Sequence, residues 1–126
     1  MIFDTDVLVW AERGNAKALQ VVSQAGERAV SIMTYMELLQ GVRGPKERED
    51  LKAFISEGNF IVFPLTENIG HRALIYVEEH ALSSGMRASD AIIAATAVEN
   101  NYALVSGNLK HYKFLKELKF KHFRYS

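Results

Sequence analysis

The chain has 126 residues, 48% of them hydrophobic and 24% charged, with 15 Lys+Arg against 15 Asp+Glu and no cysteine. That balance excludes general disorder, and the length predicts one domain over residues 1–126, large enough for a real core. The missing cysteines exclude disulfides and thiolate metal sites and fit a reducing cytoplasm, and no apolar run approaches the roughly 20 residues of a membrane-spanning helix.

Structure is expected almost from the first residue, because Asp4 and Asp6 stand where a secretory signal would carry positive charge. Met1–Phe3 reads as a short strand ending at Asp4. Ala18, Leu19, Val22 and Ala25 mark a helix before a second strand over Ala29–Met33. A helix over Thr34–Val42 follows, closed by Gly41 and the Gly44-Pro45 pair. Pro45 suits the first turn of the next helix, which carries Leu51, Phe54 and Ile55 and stops at Gly58.

Phe60–Phe63 is the third strand. After it, Ile69, Ala73, Tyr76, Val77, His80 and Ala81 recur at helical spacing as a core-facing stripe ending at Ser83-Ser84-Gly85. A deeply packed helix is expected over Ser89–Glu99, ended by Asn100-Asn101. Ala103–Val105 then reads as a buried strand, and His122–Tyr125 as a further one. Strands alternating with helices predict an α/β fold with a mostly parallel sheet and helices on both faces.

Charge is uneven along the chain. Residues 1–108 hold 14 acids against 9 Lys/Arg, and residues 109–126 hold 6 Lys/Arg against Glu117 alone. Such a basic end is either a solvated helix face or a contact for a polyanion such as RNA.

Three acids fall where strands give way to helices or a helix begins: Asp4, Glu37 and Asp90. Each alone has an ordinary explanation. Asp4 would cap the following helix, Thr34-x-x-Glu37 matches a capping box, and Asp90 suits the first turn of a helix. In a parallel α/β sheet, however, strand ends and helix starts share one edge. Three carboxylates within ~5 Å repel pairwise by about 3 kcal/mol at an effective dielectric of 20, so a cation or protons must offset that cost. Oxygen donors with retained waters suit Mg²⁺ or Mn²⁺ rather than zinc, and the four histidines show no pairing at metal-ligand spacing.

Asp6 shares a face with Asp4 if the segment is extended, as a further metal ligand or as a helix cap. Ser106 and Asn108 follow a strand onto the same edge, as holders of water or phosphate or as a plain turn. His80 reads as a hydrogen-bonded core residue, and Trp10 and Tyr35 as core or interface residues.

Phe3-Asp4-Thr5-Asp6-Val7-Leu8, Ser31-x-x-Thr34-x-x-Glu37-Leu38, Arg87-x-x-Asp90-Ala91-x-x-Ala94 and Leu104-Val105-Ser106-Gly107-Asn108 with Lys110-His111-Tyr112 occur in that order. Together these blocks resemble the PIN-domain nucleases, and within them the VapC-type toxins of toxin–antitoxin pairs. The resemblance implies a three-layer α/β/α fold with a short, mostly parallel central sheet. It also implies a Mg²⁺- or Mn²⁺-dependent endoribonuclease, a homodimer, and an antitoxin protein whose C-terminal segment blocks the pocket. Asp4, Glu37 and Asp90 match the family's metal ligands. Some members carry a further aspartate where Asn108 and His111 stand here, so one well-held metal ion is expected rather than two.

On this reading Asp4, Glu37 and Asp90 hold the metal with Asp6 as an additional ligand, and Ser106 and Asn108 orient water or ligands. Thr34 and Lys110 contact the RNA substrate. Two rivals differ in class. A binding module would use the acids only as caps, would lack metal affinity, and would lose little when Glu37 becomes Gln. Asp4-Thr5-Asp6 also looks like the nucleophile motif of haloacid-dehalogenase-type phosphatases, with Asp4 as nucleophile and Asp6 as acid/base, but no later acidic pair completes that site.

Overall fold

The computed structural model describes residues 1–126. Five strands, β1 (Ile2–Phe3), β2 (Ala29–Ser31), β3 (Ile61–Phe63), β4 (Leu104–Ser106) and β5 (Phe120–His122), form one sheet in the order β3-β2-β1-β4-β5, parallel at every pairing. Seven helices connect them: α1 (Thr5–Glu12), α2 (Ala16–Gln24), α3 (Ile32–Gln40), α4 (Pro45–Glu57), α5 (Glu67–Ser84), α6 (Ala88–Glu99) and the short α7 (Leu109–Tyr112).

Successive strand residues point to opposite faces, and this period of two builds two cores. Ile2, Ala29 and Leu104 pack on one face with Ile69, Ala73 and Tyr76 of α5 and Ala91, Ala94 and Ala95 of α6. Their neighbours Phe3, Val30 and Val105 pack on the other face with Val7, Leu8, Ala18, Val22, Leu51 and Ile55 from α1, α2 and α4. The result is three layers, α/β/α, as the alternation of strands and helices predicts. No helix is long and apolar enough to cross a membrane.

Because the strands are parallel, their carboxyl ends share one edge. The chain leaves β1 toward β2 and β3, then returns to the other side of β1 as β4, so a crevice opens above the β1/β4 boundary. Register there is tight, with Ile2 beside Leu104 and Phe3 beside Val105. Asp4 and Ser106 therefore emerge side by side.

Several boundaries differ from the sequence expectation. β2 stops at Ser31, whose hydroxyl accepts the Met33 amide at 3.0 Å and caps α3. The helix thus starts at Ile32, and Thr34 lies within its first turn instead of capping it. Asp6 is not extended: Asp4 caps α1 by accepting the Thr5 amide, which puts Asp6 in the first helical turn. Leu19 is exposed, because Ala18 and Val22 form the buried face of α2. The last strand is Phe120–His122, not His122–Tyr125, since pairing with β4 sets it: Leu104 N–H donates to Lys119 O and Phe123 N–H to Ser106 O. His80 is only partly buried, stacked on Phe114 beside Glu79.

Candidate active site: an acidic cleft at the sheet edge

A cleft of about 370 Å³ opens above the β1/β4 crevice, lined by Asp4, Thr5, Asp6, Glu37, Arg87, Ser89, Asp90, Gly107 and Asn108, with no hydrophobic side chain among them. Four acids from three regions of the sequence meet on its walls. Each is positioned by local structure that serves a second purpose.

Asp4 sits at the floor, only 5% exposed. Its Oδ1 accepts the Thr5 amide at 2.8 Å, which starts α1. Its Oδ2 accepts the Ser106 hydroxyl at 2.7 Å and the Tyr112 hydroxyl at 3.1 Å. Burial pushes its carboxyl up to about 7; Asp6 and, more weakly, Asp90 add to the rise, against the opposing hydrogen bonds from Ser106 and Thr5. A metal-free Asp4 is therefore partly protonated at neutral pH.

Asp6 Oδ2 accepts the Gly107 amide at 2.9 Å, and Oδ1 accepts that of Val7 at 2.8 Å. Burial raises its carboxyl above the usual range, and these amides oppose the rise. A Cβ at position 107 would come within 2.8 Å of Asp6 Oδ2 and 3.3 Å of the Phe123 carbonyl, so the contact requires glycine. Asp6 is thus anchored to the turn after β4.

Glu37 lies one turn into α3. Its Oε1 accepts the Thr5 hydroxyl at 2.7 Å, and Thr5 Oγ1 is also 3.1 Å from Thr34 Oγ1. Thr34 itself is fully buried and off the cleft wall, so it acts behind Thr5. Asp90 is the third residue of α6, and its Oδ2 accepts the Arg87 amide at 3.1 Å. The helix-start role expected for Asp90 and its place on the cleft wall are compatible.

His111 and Tyr112 close the back of the site. His111 Nδ1 lies 2.9 Å from Asp90 Oδ2 and 2.7 Å from Asn108 Nδ2. A protonated Nδ1 donates to Asp90, and an unprotonated one accepts from Asn108. Tyr112 is 1% exposed, with its hydroxyl on Asp4 and 3.5 Å from Asp90 Oδ1, too long for a strong hydrogen bond. Burial, then Asp4 and Asp90, hold its phenol well above the ordinary tyrosine range, so it is a fixed donor.

The structure brings together Asp4, Asp6, Glu37, Asp90 and Asn108 on the cleft wall, with Ser106 just beneath. Lys110 is exposed on α7 and does not line the cleft. Thr5, Gly107, His111 and Tyr112 emerge as supporting residues that sequence reading did not assign. His111 and Tyr112 fall in the last motif block, but nothing in their spacing pairs them with Asp90 or Asp4.

No three His, Cys, Asp or Glu side chains converge closely enough to ligate one ion directly. The expectation of three gathered carboxylates is corrected to that extent: the acids share a cleft without forming a closed ligand cluster. The donor set still fits a hard divalent cation. Its ligands are oxygens, room remains for water, and Mg²⁺ is usually held by one or two carboxylates while keeping several waters. Burial chiefly raises the Asp4 carboxyl, and the neighbouring Asp6 and Asp90 charges add to the rise. The only cationic side chain on the wall, Arg87, makes no ion pair with the acids.

A PIN domain family model matches residues 1–116. The chain is 31% identical to Ribonuclease VapC10 of Mycobacterium tuberculosis over 123 residues, covering 94% of this chain and 90% of that protein. It is likewise 31% identical to Ribonuclease VapC1 of Rickettsia felis, covering 94% and 92%. Among solved structures, a toxin–antitoxin complex from Klebsiella pneumoniae superposes with a TM-score of 0.79 at 24% identity, covering 93% of each chain.

Proposed function

The chain belongs to the PIN-domain family, and from that premise we propose that it is a divalent-metal-dependent endoribonuclease, the toxin of a toxin–antitoxin pair. The observation that carries the proposal is the cleft in which Asp4, Asp6, Glu37 and Asp90 face one another at the β1/β4 crevice. The full-length similarity to two VapC ribonucleases supports the choice of RNA as substrate. The phosphatase reading with Asp6 as acid/base is disfavoured, because both Asp6 oxygens already accept backbone amides, from Gly107 and Val7.

Asp4, Glu37 and Asp90 would hold the cation, Mg²⁺ or Mn²⁺, in part through its retained waters, because no three acids converge on one point, with Asp6 adding charge beside Asp4. The chemistry a divalent ion would supply there is activation of a water for attack on the phosphodiester and neutralisation of charge on the phosphate. Ser106 and Tyr112 fix Asp4 by donating to its Oδ2, and Thr5, backed by Thr34, fixes Glu37. Asn108 and the exposed Arg87 stand on the cleft wall, where they contact the phosphate. Lys110, outside the wall, contributes only to longer-range attraction. A homodimer in the cytoplasm completes the reading, and control by a cognate antitoxin protein is supported by structures of the same fold that are toxin–antitoxin complexes.

Asp90→Asn tests it. In a folded variant, Mg²⁺- or Mn²⁺-dependent cleavage of total cellular RNA is expected to drop by about 10²-fold or more, on the scale of losing one electrostatic stabiliser. Undiminished, chelator-sensitive cleavage would refute the assignment.

A further inference from the structure

We propose that a groove running from the cleft along β5 carries the backbone of the RNA substrate, with Lys17, Lys121 and Arg124 as its phosphate contacts. The proposal rests on the ribonuclease reading and adds where affinity comes from. An acid-lined cleft repels a polyanion. The protein has no net charge to attract one, because its 15 Lys+Arg equal its 15 Asp+Glu. Attraction must come from a cationic surface that adjoins the cleft.

One such surface exists, and it is continuous with the cleft. A cavity of about 290 Å³ shares Asp6 and Gly107 with the cleft wall and extends over His122, Phe123 and Arg124. A second, of about 340 Å³, shares those last three residues and continues to Lys121 and Lys17. The second cavity has no acid on its lining; Gln20 and Gln24 complete its polar wall. Lys17, Lys121 and Arg124 are all exposed, and none pairs with an Asp or Glu.

The remaining cations of the C-terminal segment are placed differently. Lys110, Lys113, Lys116 and Lys119 lie outside both cavities, whereas within the groove Lys17 donates to the Ser126 carbonyl and Arg124 Nε to His122 Nδ1, neither of them an acidic side chain. The groove thus selects two of the six basic residues of 109–126 and adds Lys17 from α2. Its chemistry is that of backbone binding. Trp10, at its mouth, is already stacked on Tyr125 at 4.3 Å with Arg13 over its ring, so it is not a free platform for a base. Phosphate contacts of this kind position a strand without reading its sequence.

The test is fluorescence anisotropy of a labelled oligouridylate of about 16 nucleotides, in EDTA so that nothing is cut, across roughly 50 to 200 mM NaCl. Each phosphate neutralised on a single strand contributes about 0.7 to the salt slope, so Lys121→Ala/Arg124→Ala should lower its magnitude by about 1.4 and weaken binding by roughly tenfold or more near 0.1 M salt. Lys46→Ala/Lys52→Ala on α4 should change neither, and circular dichroism melts confirm that both variants fold. A wild-type slope in the β5 variant, or an equal loss in the α4 variant, would overturn the groove. Binding that follows the prediction while the Mg²⁺- or Mn²⁺-loaded protein cleaves no RNA would leave the groove standing and remove the ribonuclease reading. Cleavage with an unchanged salt slope would do the reverse.

Discussion

On α5, Arg72 Nε reaches Glu99 at 2.5 Å and its Nη1 reaches Glu117 at 2.8 Å, while the Tyr76 hydroxyl donates to the same Glu117. In the cleft, Asp4, Asp6 and Asp90 crowd together and a tyrosine again donates to one of them, but no guanidinium lies between them. The consequences are opposite. Glu117 is held below the ordinary glutamate range by the Tyr76 and Arg72 hydrogen bonds. Asp4 is pushed up to about 7, chiefly by burial. The Arg72 cluster pairs its acids with a guanidinium, whereas the cleft acids are met by hydroxyl and amide donors and by no Lys or Arg. That difference is what separates an internal ion pair from the cleft proposed here to take a divalent cation.

The largest effect expected from this contrast is on pH dependence. Asp4 has a folded value of about 7 against an ordinary 3.8. Between roughly pH 4 and pH 7 the native state therefore binds more protons than the unfolded state, and the metal-free protein loses stability as pH rises through that window. The loss is on the order of a few kcal/mol. Thermal melts of wild type and Asp4→Asn across that range should diverge, with the variant flatter, and saturating Mg²⁺ or Mn²⁺ should offset the wild-type loss. Parallel curves would mean that the Asp4 carboxyl is not raised in the folded protein.

Tyr112→Phe comes next. It removes the buried donor to Asp4 while leaving the ring in its core, and residues that orient a metal ligand commonly contribute 10–100-fold to affinity. Calorimetric titration with Mn²⁺ should show a loss of about that size. An unchanged affinity would reduce Tyr112 to a packing residue.

Arg72→Met should have the smallest effect and leave metal affinity untouched. Its ion pairs are partly exposed, so their loss costs about 1 kcal/mol, a fall of a few degrees in melting temperature. A change in metal binding would show that the two clusters communicate, which the contrast denies.

Much of the site was legible in the sequence because Asp4 and Asp90 sit at element boundaries, and boundaries are marked by local chemistry. Asp4 follows an apolar pair, and Asp90 opens an almost uncharged helix. Glu37 follows β2 by about one turn, and the ordinary explanation for it, a helix cap, fails. Its capping box with Thr34 does not form, because Ser31 captures the Met33 amide and starts α3 earlier. What places Glu37 on the cleft is instead the Thr5 hydroxyl, 32 residues away. Tyr112 and His111 were not legible as site residues. Their partners Asp4 and Asp90 lie 108 and 21 residues earlier, and no periodicity encodes such pairings.

By itself the sequence determined the alternation of strands and helices, the positions of the acids at strand ends and helix starts, and a charge distribution that turns basic after residue 108. Those properties are set within a turn or two of chain, where apolar spacing and free backbone amides dictate what each residue can do. Only the tertiary structure decided that β4 returns beside β1, and hence that Ser106 and Tyr112 reach Asp4 and that Gly107 anchors Asp6. It also decided that β5 ends where its basic groove meets the cleft. The physical reason is strand pairing. The order of strands follows from burial of apolar surface on both faces of the sheet, a property of the whole chain that no local window contains.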